Sequence, residues 1–284
     1  MASSTSVAGA MATAFIGMIV ITVGVFTQQV AAPNGRMNGI IERFEKGEPS
    51  FNGEAWQLMP DLEHNPFRLG DLERAMAALR PAGSTRPALA PIVRIPYEAD
   101  QDYKHFVKQL LDVGIMGIIL PGVRTKEEAT RLVQTMRYPP QKTSKYRHPE
   151  GLRGWSPGGA LQFWGGLTEN EYAQKADTWP LNPEGELMAI AMIETPEAVK
   201  NIREILSVPG LGAVLMGQAD LSMDLGLGTP GANRYAPEVE AAVAEVAKAC
   251  VALKKLCGSY QSPDIKMRFG QGFRLFTVAR GQYR

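Results

Sequence analysis

The stretch Leu187–Leu225, LMAIAMIETPEAVKNIREILSVPGLGAVLMGQADLSMDL, spells strand, helix, strand. Leu187–Ile193 is a short apolar run of the kind buried on both faces of a parallel sheet. Glu194 closes it. Thr195 is a ready N-cap, and Pro196 suits the first helical position. Val199, Ile202 and Leu206 recur at helical spacing, and Pro209-Gly210 ends that helix. Ala213–Met216 is the next apolar strand, followed by a turn at Gly217-Gln218-Ala219-Asp220. Two carboxylates, Glu194 and Asp220, therefore leave the C-terminal ends of successive parallel strands. In a (β/α) barrel that end carries the chemistry. Neighbouring strands lie about 4.8 Å apart, so both side chains can reach one cation. Two carboxylates with open positions suit a hard divalent ion such as Mg²⁺ or Mn²⁺, completed by water and an oxygen-bearing substrate. The plainer alternative is that Glu194 caps the helix and Asp220 caps the turn, since acidic residues are common there.

The segment MIETPEAVKNIREILSVPGLGAVLMGQADLS resembles the signature of the HpcH/HpaI aldolase family, which is related to citrate lyase β-subunits. The resemblance implies a TIM (β/α)8-type α/β barrel of the phosphoenolpyruvate/pyruvate-binding type. It implies a Mg²⁺, Mn²⁺ or Co²⁺ ion held by Glu194 and Asp220. It also implies a homo-oligomer, trimer or hexamer, acting on a small 2-oxo acid and an aldehyde.

The chain has 284 residues, 45% hydrophobic and 21% charged, which is enough for one barrel with a full core. A net charge of +1 suggests neither nucleic acid nor an anionic membrane as partner. The two cysteines, Cys250 and Cys257, lack zinc spacing and are expected as buried thiols rather than a disulfide. Residues 1–35 contain no charged side chain before Arg36. Val7–Phe26 is almost wholly apolar or small, which fits a secretory signal with Val30-Ala31-Ala32 as its small-residue site. It also fits a membrane anchor. A missing basic n-region and Pro33 speak against cleavage, and a misplaced start codon is the third reading. Export or anchoring is favoured, the compartment stays open, and the barrel is assigned to residues 36–284.

Asn38–Phe44 is a short amphipathic helix, and GRMNGIIERFEKGEPSF resembles the opening of the family. Phe51–Trp56 then runs almost directly into the next strand, Gln57–Leu62. A whole βα unit looks shortened, which threatens one stave of the barrel or one wall of the pocket. Asp61-Leu62-Glu63-His64-Asn65-Pro66 resembles the family's D-x-E-H-x-P motif, whose His is the catalytic base. An imidazole at a strand's C-terminal end can move a proton at neutral pH. His105 falls in a helix and His148 in a polar loop, so His64 is the candidate. The alternative is an inert loop histidine. Asp61 and Glu63 would fix its tautomer, bind water near the metal, or solvate the loop.

Leu69–Arg80 reads as a helix and Pro91–Ile95 as a strand. Arg94, in APIVRIPYEAD, matches the family's V-R-P/V-P segment. A guanidinium there can polarise a carbonyl and steady an enolate; the alternative is a salt-bridged barrel arginine. Asp102–Val113 is a helix whose Asp112 resembles an acidic residue that assists the catalytic His across the assembly, although a plain helix-terminal Asp fits too. Met116–Pro121 is a strand, and Thr125-Lys126-Glu127-Glu128 is a capping box opening a helix to Met136. Arg137–Asn182 is long and irregular, resembles the YPPxGxRG segment in RYPPQ and GLRGW, and is expected to serve as a lid or a subunit contact.

GLGTPG at Gly226–Gly231 formally matches G-x-G-x-x-G. It does not open a helix straight after a strand, so it is read as a turn at the pocket rim. Pro237–Leu253 is a helix, Leu256–Tyr260 a strand, Ser262-Pro263 the start of a short helix, and Leu275–Ala279 the last strand. The family continues into one more helix, and here the sequence ends at Arg284.

The implied reaction is reversible cleavage of a 4-hydroxy-2-oxo acid to pyruvate, or a near relative, plus an aldehyde. His64 takes the 4-hydroxyl proton, Arg94 steadies the developing charge, and the backbone of Gly217, Gln218, Ala219 and Asp220 receives the carboxylate. A Schiff-base aldolase needs a lysine at a strand end, and no strand end offers one. Met192 replaces a frequent Gln of the family, and Gln218 replaces the Pro of G-P-A-D. Two other readings stand beside the aldolase: an acyl-CoA lyase of the citrate lyase β type, and a non-catalytic exported binding protein.

Overall fold

The computed structural model describes residues 36–66, 68–84, 86–260 and 265–282. The hydrophobic segment 1–35 and the helix start at Ser262-Pro263 lie outside these residues. Among the described residues no helix is long and apolar enough to cross a membrane.

The elements, in chain order, are α1 (Gly39–Glu45), β1 (Ser50–Phe51), β2 (Trp56–Leu58), α2 (Leu69–Ala78), β3 (Ala90–Arg94), α3 (Lys104–Asp112), β4 (Gly117–Leu120) and α4 (Lys126–Met136). Then come α5 (Gly158–Phe163), α6 (Glu169–Lys175), β5 (Met188–Ile193), α7 (Pro196–Lys200), α8 (Ile202–Leu206), β6 (Leu211–Met216), α9 (Gln218–Asp224) and α10 (Pro230–Asn233). The chain finishes with α11 (Pro237–Leu253), β7 (Leu256–Ser259), α12 (Ile265–Gln271), β8 (Leu275–Phe276) and a 3₁₀ turn, Arg280–Gln282. Every ladder is parallel, in the order β1-β8-β7-β6-β5-β4-β3-β2. A single parallel bridge, Asn52 to Trp56, links the two ends, so the sheet is a nearly closed eight-stranded barrel.

The shortened first unit therefore costs the barrel no strand. After β1 the chain steps sideways through Asn52–Ala55 and enters β2 without any helix between. β3, β4, β5 and β6 are buried at every position, because helices cover their outer faces. The capping box at Thr125 forms as its spacing requires. The helix after Glu194 divides into α7 and α8 at Asn201, whose amide donates to the Arg124 carbonyl.

Several expectations need correction. β2 has three residues instead of six, and Met59–Leu62 leaves the ladder to form the approach to the site. Gly217–Asp220 is not a turn: it is the N-cap and first turn of α9. Cys250 and Cys257 form a disulfide joining the end of α11 to β7 instead of two thiols. Arg137–Asn182 is not wholly irregular, since it carries α5 and α6. It joins the end of α4 to the start of β5, at the N-terminal end of the barrel. The Trp164 indole donates to Gly114 O just before β4, and Thr178 bridges Leu187 just before β5. A segment fixed at that end is no lid over the strand ends of its own barrel.

Candidate active site

Each strand's burial fixes where its last residue emerges. Arg94 ends β3, Glu194 follows β5, Gly217 follows β6, and Tyr260 follows β7. All emerge at the C-terminal end of the barrel. There, a cavity of about 310 Å³ is lined by His64, Arg94, Met192, Gly217, Gln218, Ala219, Asp220, Arg234 and Tyr260.

Glu194 is 6% exposed and stands directly across from Gly217, whose N–H donates to the neighbouring Ile193 carbonyl. A Cβ on Gly217 would fall 2.4 Å from Glu194 Oε2 and 2.8 Å from its Cβ, so only glycine admits the carboxylate. The other oxygen, Oε1, accepts the Gly122 amide at 2.5 Å. Burial, together with the charges of Asp220, Glu63 and Glu98, pushes the Glu194 carboxyl up to about 7 against the pull of that amide. Asp220 is exposed, in the first turn of α9. Among the described residues there is no group of three or more His, Cys, Asp and Glu side chains placed to hold a metal. Glu194 and Asp220 are near enough for the Asp220 charge to act on the Glu194 carboxyl.

Arg94 is 5% exposed and fully engaged. Its Nε donates to Asp61 Oδ1 at 2.9 Å, its Nη2 to Asp61 Oδ2, and its Nη1 lies 2.7 Å from Glu63 Oε2. The guanidinium carbon sits 4.7 Å from the centre of the Tyr260 ring, and Nη1 is 3.9 Å from the Met192 sulfur. Burial pushes the Asp61 carboxyl up, but the Arg94 hydrogen bond and charge outweigh it and hold the group below its ordinary value. Burial pushes Glu63 up despite Arg94. His64 Nε2 is 3.5 Å from Glu63 Oε2, and the imidazole is well exposed. Asp61 therefore serves Arg94, and Glu63 lies between Arg94 and His64.

Asp112 stands apart from this group. It ends α3, which runs back to the far end of the barrel, and it pairs with buried Arg153 at 2.8 Å. The chain brings His64, Arg94, Asp61, Gly217, Gln218, Ala219, Asp220 and Glu194 together, and it does not bring Asp112 to them.

Two nearby groups escaped sequence reasoning. Glu98, four residues past β3, has its Oε2 against Gly122, where a Cβ would fall 1.9 Å away. Burial, with Asp100 and Asp220 nearby, pushes its carboxyl up against the pull of Arg124 and His64. Arg234 enters from the connection after α10. Neither lies on a periodic element, so the only signal was a charged residue in a connection at the C-terminal end of the barrel.

A nearly closed parallel barrel with acidic side chains and a braced arginine at the C-terminal strand ends is a (β/α)8 scaffold of the kind that carries enzyme sites at that end. The HpcH/HpaI aldolase/citrate lyase family model matches residues 51–262. The chain belongs to that family, which places it among the carbon–carbon lyases. It is 32% identical over 224 residues to a hydroxypyruvate/pyruvate aldolase of Rhizorhabdus wittichii, covering 77% of this chain and 76% of the relative. It is 33% identical over 189 residues to a 4-hydroxy-2-oxo-heptane-1,7-dioate aldolase of Shigella boydii, covering 66% of this chain and 60% of the relative. Among solved structures, an HpcH/HpaI aldolase/citrate lyase family protein of Burkholderia cenocepacia superposes with a TM-score of 0.66. That match is at 25% identity and covers 86% of this chain and 94% of that one. These likenesses favour neither the acyl-CoA lyase nor the non-catalytic reading.

Proposed function

We propose that the protein cleaves 4-hydroxy-2-oxo acids to pyruvate, or a close 2-oxo acid, and an aldehyde, with a divalent cation at Glu194 and Asp220. The observation that carries this reading is positional: the buried Glu194 carboxylate stands against Gly217, at the segment Gly217–Asp220 that lines the cavity with His64 and Arg94, and a cation there would offset the burial and the neighbouring carboxylates that raise Glu194 to about 7. When bound, such an ion supplies Lewis acidity toward the 2-oxo group.

The chain's own residues do the rest. His64, exposed at the cavity wall, takes the proton from the 4-hydroxyl as the C3–C4 bond breaks. The released electron pair passes into the 2-oxo acid half as its enolate, and a proton delivered to C3 completes pyruvate. Arg94 carries positive charge toward the enolate oxygen, and Asp61 and Glu63 keep its planar fork from swinging away. The Gly217–Asp220 segment lines the place for the substrate carboxylate. Asp112 would act on a neighbouring subunit's site, in an oligomer of the kind the family resemblance implies.

The test is pyruvate release from a 4-hydroxy-2-oxo acid, followed by reduction to lactate. Mg²⁺, Mn²⁺ or Co²⁺ should support it, EDTA should stop it, and Glu194→Gln should stop it too. His64→Ala should lower kcat on the order of a hundredfold to ten-thousandfold. Turnover that survives EDTA would overturn the metal assignment, and unchanged turnover in His64→Ala would remove His64 as base.

A further inference from the structure

Carboxylates hold Arg94 by its edges. Nε and Nη2 donate to Asp61, and Nη1 lies 2.7 Å from Glu63 Oε2. Bonds along an edge leave a planar fork free to tilt about that edge. What meets the flat face is aromatic: the guanidinium carbon stands over the Tyr260 ring, 4.7 Å from its centre. The Met192 sulfur closes a further side, 3.9 Å from Nη1. Arg94 thus lines the cavity while only 5% exposed.

The ring is carried on a fixed part of the barrel. Tyr260 directly follows β7, whose last residue, Ser259, pairs with Phe276 of β8. The Thr277 hydroxyl donates to the Tyr260 carbonyl, and the Thr277 N–H donates to the Ser259 carbonyl at 3.4 Å. Further back on β7, Cys257 is joined to Cys250 of α11. The backbone beneath the ring is therefore tied to β8 and to α11. The side chain itself is half-buried and lines the cavity with His64, Arg94 and Met192.

The chemistry of the contact explains why a ring suits this place. A guanidinium over an aromatic face is attracted by the ring's negative centre, more strongly where water is excluded. Two carboxylates already draw on the Arg94 charge, and another anion would cancel what is left for a substrate. Burial raises the Tyr260 phenol above its ordinary value although Arg94 pulls it down, so the ring stays neutral at neutral pH. A neutral ring fixes the cation without neutralising it.

We propose that Tyr260 is a positioning residue for Arg94: its ring stops the guanidinium from tilting and keeps water off one face, so the charge stays aimed at the enolate oxygen as it forms. This role rests on the aldolase reading above, and the test separates the two. The Mg²⁺-loaded enzyme is assayed for exchange of pyruvate methyl protons with deuterated water, read by NMR, which needs the enolate and no aldehyde.

The wild type should exchange. Tyr260→Leu should lower kcat for exchange on the order of fivefold to thirtyfold while KM for pyruvate stays within about twofold, because the contact acts only as the enolate forms. Tyr260→Phe keeps the ring and should recover most of that loss. In an Arg94→Lys background, which lacks the planar fork, Tyr260→Leu should cost less than about twofold further. A raised KM with kcat intact would make Tyr260 a substrate contact and refute the positioning role. An undiminished loss in the Arg94→Lys background would refute it too, as would a Tyr260→Phe variant as slow as Tyr260→Leu. In each of these cases the exchanging wild type leaves the aldolase reading standing. Should Tyr260→Leu fail to fold, Tyr260→Phe decides alone: exchange within about threefold of wild type upholds the ring, and a larger loss refutes it. A wild type that exchanges no protons brings down the aldolase reading and this role with it.

Discussion

A single methyl group can test the Glu194 site. Gly217 has φ of −99°, so its backbone is open to any residue, and what demands glycine is the carboxylate across from it. Gly217→Ala should push Glu194 away from the cavity. Weakening of Mn²⁺ binding on the order of tenfold to a hundredfold should follow, measured by calorimetry on folded protein. Mn²⁺ affinity equal to the wild type would mean that Glu194 is not a ligand where the structure holds it. The same residues show what a sequence discloses about a site. Glu194, Arg94 and Asp220 were legible because each follows an apolar run, and a buried strand's last residue has one way to emerge. Glu98 and Arg234 were not, because the path of a connection is set by tertiary contacts that no periodicity records. The partners of Arg94 were hidden for the same reason: Asp61 and Glu63 sit in one motif, and only the folded loop brings both to Arg94 while Glu63 also stands beside His64.

Among the elements, the sidestep from β1 to β2 is the departure from barrel practice. Parallel neighbours ordinarily need a crossover of a dozen residues or more; here four suffice. Gly53 turns the chain at φ +82°, its N–H donates to the Trp56 carbonyl at 2.8 Å, and Asn52 Oδ1 accepts the Leu58 N–H at 2.8 Å. A Cβ on Gly53 would meet nothing within 4 Å, so any substitution penalty there is purely conformational. Gly53→Ala should cost about 1 kcal/mol and lower Tm by roughly 3 °C. Gly53→Asn should cost less, since asparagine tolerates the left-handed region. Equal penalties for the two would point to a lost contact instead. Elements with chemical punctuation were read closely: Pro237 starts α11, and a capping box starts α4. β1, two residues long, is too short to show a period, so the shortened first unit suggested a damaged barrel where the ladders and one bridge nearly close one, and β8, read as Leu275–Ala279, keeps only its first two residues in the ladder.

For the whole molecule, the two ends of the barrel divide the labour. The C-terminal end holds the cavity, while the N-terminal end is sealed by α1 and by the segment carrying α5 and α6. Ile40 and Ile41 are fully buried beneath the strands, and Asn38 caps α1 while its amide reaches the Met116 and Glu186 carbonyls. Glu186 pins this seal, accepting the backbone N–H of Met37 at 3.1 Å and of Asn38 at 2.8 Å. Burial pushes its carboxyl above the ordinary value, although those amides and Arg36 pull the other way. A carboxyl raised in the folded state favours folding most while it is protonated. Its contribution is complete below the unfolded value, about 4.3, and is lost as pH rises through the folded value. Wild type should therefore lose stability relative to Glu186→Gln across that window, read as the difference between their urea midpoints at a series of pH values. Because Glu186 lies at the end of the barrel away from the cavity, kcat/KM of the variant should stay near wild type. A midpoint difference that does not change with pH would show that the carboxyl is not raised. A difference that grows while kcat/KM also collapses would show that the seal and the cavity are coupled through the strands rather than independent.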